Sequence, residues 1–203
     1  MSTPRRILVL FAHPALQKSR VNRRMAAAAQ KLPGITFHDL YEMYPDFQID
    51  VAREQKLLVE HDAIVFQHPF YWYSCPALLK EWLDLVLEYG FAYGTEGTQL
   101  QGKPVFSALT TGGPEHAYTR DGYNQFTMRE LLTPFEQTAR LCGMIWLPPF
   151  IVHGTLSLFD SAEIEKHALD YARVLGGLRD GRIPNAATPA LARLNANLAL
   201  LGL

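Results

Sequence analysis

Residues 63–80, AIVFQHPFYWYSCPALLK, contain one complete strand–loop–helix unit of the chain. It opens with a run of apolar residues (63–67) that is typical of a strand buried on both faces. An aromatic-rich loop (68–76) follows, and Pro76 stands where the first turn of a helix over 76–87 is predicted. A buried strand that leads through a loop into a helix is typical of the repeating unit of a parallel α/β sheet.

The same alternation extends in both directions along the chain. Strands are also predicted over 6–11, 35–40, 105–109 and 144–152, and helices over 19–31, 51–60, 128–141 and 161–178. Five strands separated by five helices predict a three-layer α/β fold with a parallel sheet. Ligands of such folds lie beyond the carboxyl ends of the strands, so the loops after the strands are where a site is expected.

Length, composition and charge narrow the class of protein. We expect one domain over 1–180, followed by a proline-broken linker and a short apolar helix over 181–203. The net charge of −1 does not favour nucleic acid as a partner. Cys75 and Cys142 form no CxxC pair, which favours reduced thiols and a cytoplasmic location. Four histidines lack metal-ligand spacing and are expected at the surface or at helix ends, with no metal site predicted: His38, His61, His153 and His167.

The loop after the first strand (12–22, AHPALQKSRVN) favours a phosphate without a nucleotide-binding motif. It lacks GxGxxG and GxxxxGK[ST], which argues against ATP and against NAD bound in Rossmann fashion. Free backbone N–H groups at the start of the following helix can accept an anion. Ser19 is either a plain helix cap or a ligand-binding hydroxyl, and the two roles are compatible. Further groups for the same anion are His13, Lys18, Arg20 and Asn22.

The loops after the third and fourth strands suggest a flat ligand. Four consecutive aromatic residues, Phe70 to Tyr73, are either the wall of a planar ligand site or an aromatic plug under a loop. The turn 110–113 (TTGG) allows close backbone approach, and its N–H groups would suit the pyrimidine edge of a flavin. A Gly-Gly turn alone is weak evidence, but all three loops fall on the same rim of the sheet.

Together these motifs resemble the flavodoxin-like NAD(P)H:quinone oxidoreductase family. The resemblance runs from about residue 7 to 177, and two segments, 40–50 (LYEMYPDFQID) and 143–150 (GMIWLPPF), are similar to the bacterial ancillary flavoproteins of glutathione-regulated potassium efflux systems. The motifs are Ala12-His13-Pro14, Ser19-x-x-Asn22, Pro69-x-x-Trp72-Tyr73-Ser74-x-Pro76-x-Leu78-Leu79-Lys80, Phe91-Ala92-Tyr93-Gly94 and Thr110-Thr111-Gly112-Gly113.

The resemblance implies a flavodoxin-like three-layer sandwich with strand order 2-1-3-4-5, a tightly bound flavin, and a homodimer with its active sites at the subunit interface. The chain is similar in length to the members that bind FMN, rather than to the longer members that bind FAD. The resemblance also implies that the phosphate and ribityl chain are held by His13, Ser19, Arg20, Val21 and Asn22. The isoalloxazine would pack on Pro69, Phe70, Tyr71, Trp72 and Tyr73, and its polar edge would meet Thr110, Thr111, Gly112 and Gly113.

One departure concerns the proton source. The larger members of the family carry a Tyr after TTGG and a His six residues later, which are thought to assist proton transfer. Here Tyr118 fills the first position, but Asn124 fills the second. Tyr118 and His116 are therefore the candidate catalytic residues, with solvent as the alternative proton source.

The resemblance leads us to expect an FMN-dependent transfer of two electrons from NADPH or NADH to a quinone. The alternative is a regulatory ancillary subunit that docks on the cytosolic face of a potassium efflux antiporter at the inner membrane, and the two roles are compatible. A flavodoxin-type one-electron carrier is disfavoured. Proteins that resemble that class have a Ser/Thr-rich phosphate loop directly after the first strand and a strongly acidic surface, and this chain has neither.

Overall fold

In the computed structural model, which describes residues 3–183 and 191–203, strands alternate with helices as the sequence predicts. The strands are β1 (Ile7–Phe11), β2 (Ile35–Asp39), β3 (Ala63–Pro69), β4 (Pro104–Thr110), β5 (Ile145–Trp146) and β6 (Phe150–Val152). The helices are α1 (Arg20–Gln30), α2 (Leu40–Met43), α3 (Val51–Glu60), α4 (Ala77–Val86), α5 (Met128–Leu131), α6 (Thr133–Leu141) and α7 (Ser161–Arg179).

The sheet is parallel, and its order β2-β1-β3-β4-β5 confirms the predicted flavodoxin-like topology. The strand predicted over 144–152 is divided, however. β5 pairs with the beginning of β4, whereas β6 pairs with its end, from Ala108 to Thr110. Pro148 and Pro149 separate the two pieces, because proline has no N–H to donate to a neighbouring strand.

Two further elements differ from the prediction. The helix predicted over 128–141 is two helices, since Pro134 at the start of α6 cannot continue the hydrogen-bond ladder of α5. The short helix α2 was not predicted. It begins at Asp39, whose carboxylate accepts the N–H of Tyr41 at 3.0 Å, and a cap of this kind can start a helix that is too short to show apolar periodicity.

The sheet is buried on both faces, which explains its uninterrupted apolar strands. Leu8 and Leu10 of β1 face α3, α4 and α6, where Trp82 is fully buried. Ile7 and Val9 face α1 and α7, where Tyr171 is fully buried. This double covering leaves the carboxyl ends of the strands as the accessible edge of the sheet.

The C-terminal segment packs on the same core. Leu194 and Leu201 are buried against the α7 side of the sheet, in two short 3-10 turns, Leu194–Ala196 and Leu198–Leu201, at the place of the expected apolar helix. The Asn195 amide accepts the N–H of Ile151 at 3.1 Å and donates to its carbonyl at 2.8 Å, so it pairs with the backbone of β6. The predicted linker lies partly over 184–190, outside the described residues. Within the described ranges, no helix is long and apolar enough to cross a membrane.

His38 is buried rather than exposed, because it is part of a polar network around Glu54. The fully buried Glu54 carboxylate accepts hydrogen bonds from His38 Nε2 at 2.8 Å, Tyr44 Oη at 2.6 Å and Trp82 Nε1 at 2.8 Å. Burial acts to raise the pKa of Glu54, but these three donors outweigh it and hold the pKa below its usual value. The network ties β2, α3 and α4 together.

Replacing the buried carboxylate should strongly destabilise the fold. Glu54→Ala leaves three buried donors without their acceptor, and we expect the free energy of unfolding to fall by about 3–5 kcal/mol in urea titrations at pH 7. The control is Glu60→Ala, which removes an exposed carboxylate of the same helix and should change the free energy of unfolding by less than about 0.5 kcal/mol.

The difference in the free energy of unfolding between wild type and Glu54→Ala should become smaller at acidic pH. Because the pKa of folded Glu54 lies below 4.5, its contribution is fully present above pH 4.5 and is lost as the pH falls through the lowered pKa. The gap between wild type and Glu54→Ala should therefore narrow below pH 4. A gap that widens on acidification would contradict this account.

Candidate functional site

A cavity of about 370 Å³ lies beyond the carboxyl ends of β1, β3, β4 and β6. This volume is within the range of small-molecule and cofactor sites. The cavity is bounded by the three predicted loops and by a fourth, which follows β6. Its lining residues are His13, Ala15, Lys18, Ser19, Arg20, Val21, Asn22, Pro69, Phe70, Tyr71, Thr110, Gly112, Thr155 and Leu156.

One end of the cavity suits an anion. Ser19 caps α1, and its hydroxyl accepts the N–H of Asn22 at 3.2 Å, while the N–H groups of the first helical turn have no partner within the helix. Arg20 donates to the carbonyl of Thr155 at 3.2 Å and lies 4.3 Å from the centre of the Phe159 ring. These two contacts hold the guanidinium at the rim, where it adds positive charge to the helix N-terminus.

His13 presents a hydrogen-bond donor at the same end. Its Nδ1 accepts the N–H of Ala15 at 3.1 Å, and burial lowers the pKa of the imidazole. The ring is therefore neutral at pH 7, and its proton lies on Nε2. A ligand oxygen in the cavity can accept that proton in a hydrogen bond.

Asn22 joins two of the loops. Its side chain is buried, and its Nδ2 donates to Ser19 Oγ at 3.2 Å and to Thr110 Oγ1 at 2.8 Å. The two amide hydrogens are thus used within the protein and fix the start of α1 against the end of β4, whereas the buried Oδ1 atom has no hydrogen-bond partner among the described residues.

The structure divides the aromatic run between the cavity and the surface. Phe70 and Tyr71 line the cavity. Trp72 and Tyr73 adopt positive φ values of 49° and 61°, and their side chains are 93% and 49% exposed. Two successive non-glycine residues in the left-handed region are uncommon, and they turn the chain between a cavity wall and an exposed surface.

The TTGG turn is held from outside by the loop after β6. The N–H and hydroxyl of Thr155 donate to the carbonyl of Thr111 at 2.9 and 3.0 Å, and the N–H of Gly154 donates to the carbonyl of Gly113 at 2.8 Å. A Cβ on Gly112 would lie 3.0 Å from Leu156, so only glycine fits there without displacing that side chain. Thr110 and Gly112 line the cavity, whereas Thr111 and Gly113 lie behind it.

Thr155 and Leu156 are the lining residues that the sequence analysis missed. Their loop has neither a motif nor an unusual composition, and its position after the fifth strand was the only available signal. The backbone hydrogen bonds that bring it to the TTGG turn join residues about forty positions apart.

The candidate catalytic residues lie on a 3-10 turn, Glu115–Tyr118, just outside this cavity. Tyr118 lines a second, adjacent cavity of about 220 Å³, and its ring centre lies 6.3 Å from that of Phe70 and 5.4 Å from that of His153. Burial raises the pKa of Tyr118. His116 is exposed. Asn124 accepts the Tyr73 hydroxyl at 3.0 Å, so it supports the aromatic loop.

His153 differs from its predicted surface position. It is half-buried beneath Tyr118, and its Nδ1 lies 3.1 Å from Thr111 Oγ1. Burial lowers the pKa of His153 to about 4. Its position in the sequence gave no sign of a partner, because its neighbours Thr111 and Tyr118 lie more than thirty residues away, directly after β4 and on the turn that follows.

Comparisons with known proteins agree with the fold. A family model of the flavodoxin-like fold matches residues 5–175. The glutathione-regulated potassium-efflux system ancillary protein KefG of Pectobacterium carotovorum is 58% identical over 153 residues, which cover 75% of this chain and 84% of the relative.

Two solved structures are also similar. The general stress protein 14 of Treponema denticola, in complex with FMN, is 41% identical with a TM-score of 0.82, and the match covers 85% of this chain and 99% of the other. A protein from P. pentosaceus described as an NADPH-quinone reductase is 33% identical with a TM-score of 0.76, over 84% of this chain and 97% of the other.

The link between Asn22 and Thr110 should be measurable as a coupling energy. We expect Asn22→Ala to lower the free energy of unfolding by about 1–3 kcal/mol, because it leaves the buried Thr110 hydroxyl without its donor. In a double-mutant cycle with Thr110→Val, the coupling should exceed about 0.5 kcal/mol. The matched cycle uses the exposed neighbour Arg23→Ala with Thr110→Val, where additive effects are expected. Additivity in the Asn22 cycle would refute the link.

Proposed function

The chain belongs to the flavodoxin-like NAD(P)H:quinone oxidoreductase family, and from that membership we propose that it is an FMN-binding ancillary protein of a glutathione-regulated potassium efflux system. It would work at the cytoplasmic face of the inner membrane through its antiporter partner. The observation that carries the ancillary role is the 58% identity to KefG over three quarters of the chain.

The cavity supports FMN as the ligand. It combines an anion-binding end at α1, an aromatic wall and a polar edge at the TTGG turn, which match the phosphate, the flat ring and the pyrimidine edge of a flavin mononucleotide. The Treponema relative was crystallised with FMN, which favours FMN over FAD.

The proposed contacts follow the division of the cavity. The phosphate and ribityl chain meet the first turn of α1 and His13, with Ser19, Arg20, Val21 and Asn22 providing or fixing the anion site. The ring packs on Pro69, Phe70 and Tyr71, and its polar edge meets Thr110 and Gly112, which Thr111 and Gly113 support from behind. The exposed Trp72 and Tyr73 provide an apolar surface for the second subunit of a homodimer.

Quinone reduction is the second candidate function, and it is compatible with the first. Bound FMN would accept a hydride from NADPH or NADH and pass two electrons to a quinone. Tyr118 favours this activity. Burial raises its pKa, so its hydroxyl stays protonated, and the residue lies beside Phe70 and the TTGG turn, just outside the cavity. The similarity to the NADPH-quinone reductase of P. pentosaceus also supports it, at the lower identity of 33%.

Comparing FMN with riboflavin tests the anion site, since the two ligands differ by the phosphate. Arg20→Ala removes one charged donor near the proposed phosphate, and we expect the Kd for FMN to rise about tenfold, with less than a twofold change for riboflavin, in fluorescence titrations. Arg23→Ala is the control, because Arg23 is an exposed arginine of the same helix outside the cavity. Equal losses of affinity for FMN and riboflavin would contradict the proposal that the phosphate binds at α1.

Co-purification tests the ancillary role. We expect this protein, loaded with FMN, to co-purify with the detergent-solubilised transport subunit of the efflux system from the same genome. The KefG of Pectobacterium carotovorum with its own transport subunit is the positive control. If the protein binds FMN and reduces benzoquinone but does not co-purify, the free-standing quinone reductase is the better assignment.

A further inference from the structure

The hydroxyl of Thr111 lies at the centre of a small polar cluster between the two cavities. It is buried, donates to the carbonyl of Gly113 at 2.8 Å, and lies 3.1 Å from His153 Nδ1. A hydroxyl has a single proton, which here is directed to Gly113. The second contact is therefore a hydrogen bond in which His153 Nδ1 donates to Thr111.

This hydrogen bond fixes the protonation of His153. Burial keeps the imidazole neutral at pH 7 and the proton lies on Nδ1, so Nε2 carries a free lone pair. The second cavity is lined by His153 together with Glu115 and Arg193, which form an ion pair with each other. Water in that cavity can donate a proton to Nε2.

Tyr118 lies at the other side of the same cluster. Its Oη lies against Gly113, since a Cβ built on that glycine would be 3.3 Å from it. Burial acts to raise the pKa of Tyr118, and the nearby Thr111 hydroxyl and Gly113 backbone partly offset it. Thr111, which directly follows β4, is thus the shared neighbour of Tyr118 on the 115–118 turn and of His153, which directly follows β6.

We propose that His153 replenishes the proton of Tyr118 through the hydroxyl of Thr111, drawing on water in the second cavity. This rests on the proposed quinone reduction. It gives the chain a titratable partner for Tyr118 on a different segment from Asn124, whose amide does not titrate near neutral pH and accepts the hydroxyl of Tyr73.

One proton moves along the cluster for each quinone that is reduced. A quinone that receives a hydride equivalent, originating in the reduced nicotinamide, needs one proton on its oxygen, and the Tyr118 O–H bond breaks to supply it. The phenolate takes the proton of Thr111, whose hydroxyl turns from Gly113, and Thr111 takes the Nδ1 proton of His153. As the Nδ1 proton leaves, Nε2 takes a proton that solvent hydronium delivers through water in the second cavity, so neither imidazolate nor hydroxide is left. Exchange with that water then returns the ring from its Nε2–H form to its Nδ1–H form.

The tautomer can be measured without any reaction. We expect ¹⁵N NMR of histidine-labelled protein at pH 7 to show His153 as a neutral ring protonated at Nδ1, with assignment from the His153→Phe spectrum. A ring protonated at Nε2, or an imidazolium, would overturn the proposal. This result is independent of whether the protein reduces quinones.

Kinetics of the separate half-reactions test the relay itself. His153→Phe keeps a ring beside Tyr118 but removes the nitrogens, and we expect reoxidation of the reduced protein by benzoquinone to slow by about 100-fold. FMN affinity and reduction by NADPH should stay within twofold. His167→Phe, a histidine of α7 far from the cluster, is the matched control.

Chemical rescue distinguishes a relay from support of the fold. In His153→Ala, added imidazole should restore reoxidation by about tenfold or more, because the second cavity adjoins the vacated space, whereas a loss of packing alone would not respond to a base. If His153→Phe reoxidises as fast as wild type, the relay is refuted while the flavin function stands. If the protein binds no FMN, the proposed function fails, and the tautomer measurement still decides the state of His153.

Discussion

The site depends on a buried hydrogen bond between two loops, the one from Asn22 Nδ2 to Thr110 Oγ1 at 2.8 Å. Buried polar groups are costly when unpaired, so this bond strongly favours one position of the first turn of α1 against the end of β4. The anion-binding end of the cavity belongs to the first of these elements, and its polar edge belongs to the second. Their separation is therefore set by the fold, before any ligand binds, which is the condition for a preorganised site.

The aromatic loop shows how backbone conformation assigns different tasks to adjacent residues. The left-handed conformation of Trp72 and Tyr73 costs roughly 1–2 kcal/mol per residue and persists because the surroundings fix it. One of those surroundings is Asn124, whose amide oxygen accepts the Tyr73 hydroxyl. The asparagine that departs from the pattern of the larger family members thus has a structural task here.

Local sequence patterns predicted the parallel α/β fold and a site at the strand ends, whereas the strand order followed from the family resemblance. Apolar strands and strand-end loops are read from consecutive residues, and ten of the residues predicted to bind the cofactor line the cavity. The sequence could not predict that the aromatic run would be divided between the cavity and the surface, since residue types do not reveal the positive φ at Trp72. The burial of His38 and His153 also escaped it, because their partners Glu54 and Thr111 are distant in the chain.

The C-terminal segment bears on the site more than its position in the sequence suggests. Arg193 pairs with Glu115 on the turn that carries Tyr118, and Asn195 binds the backbone of β6 two residues before His153. The two contacts hold the turn that carries Tyr118 and the strand that precedes His153. Since the proposed relay needs short, fixed distances, these contacts of the tail belong to the physical description of the site, although none of the tail's described residues lines the cavity proposed for FMN.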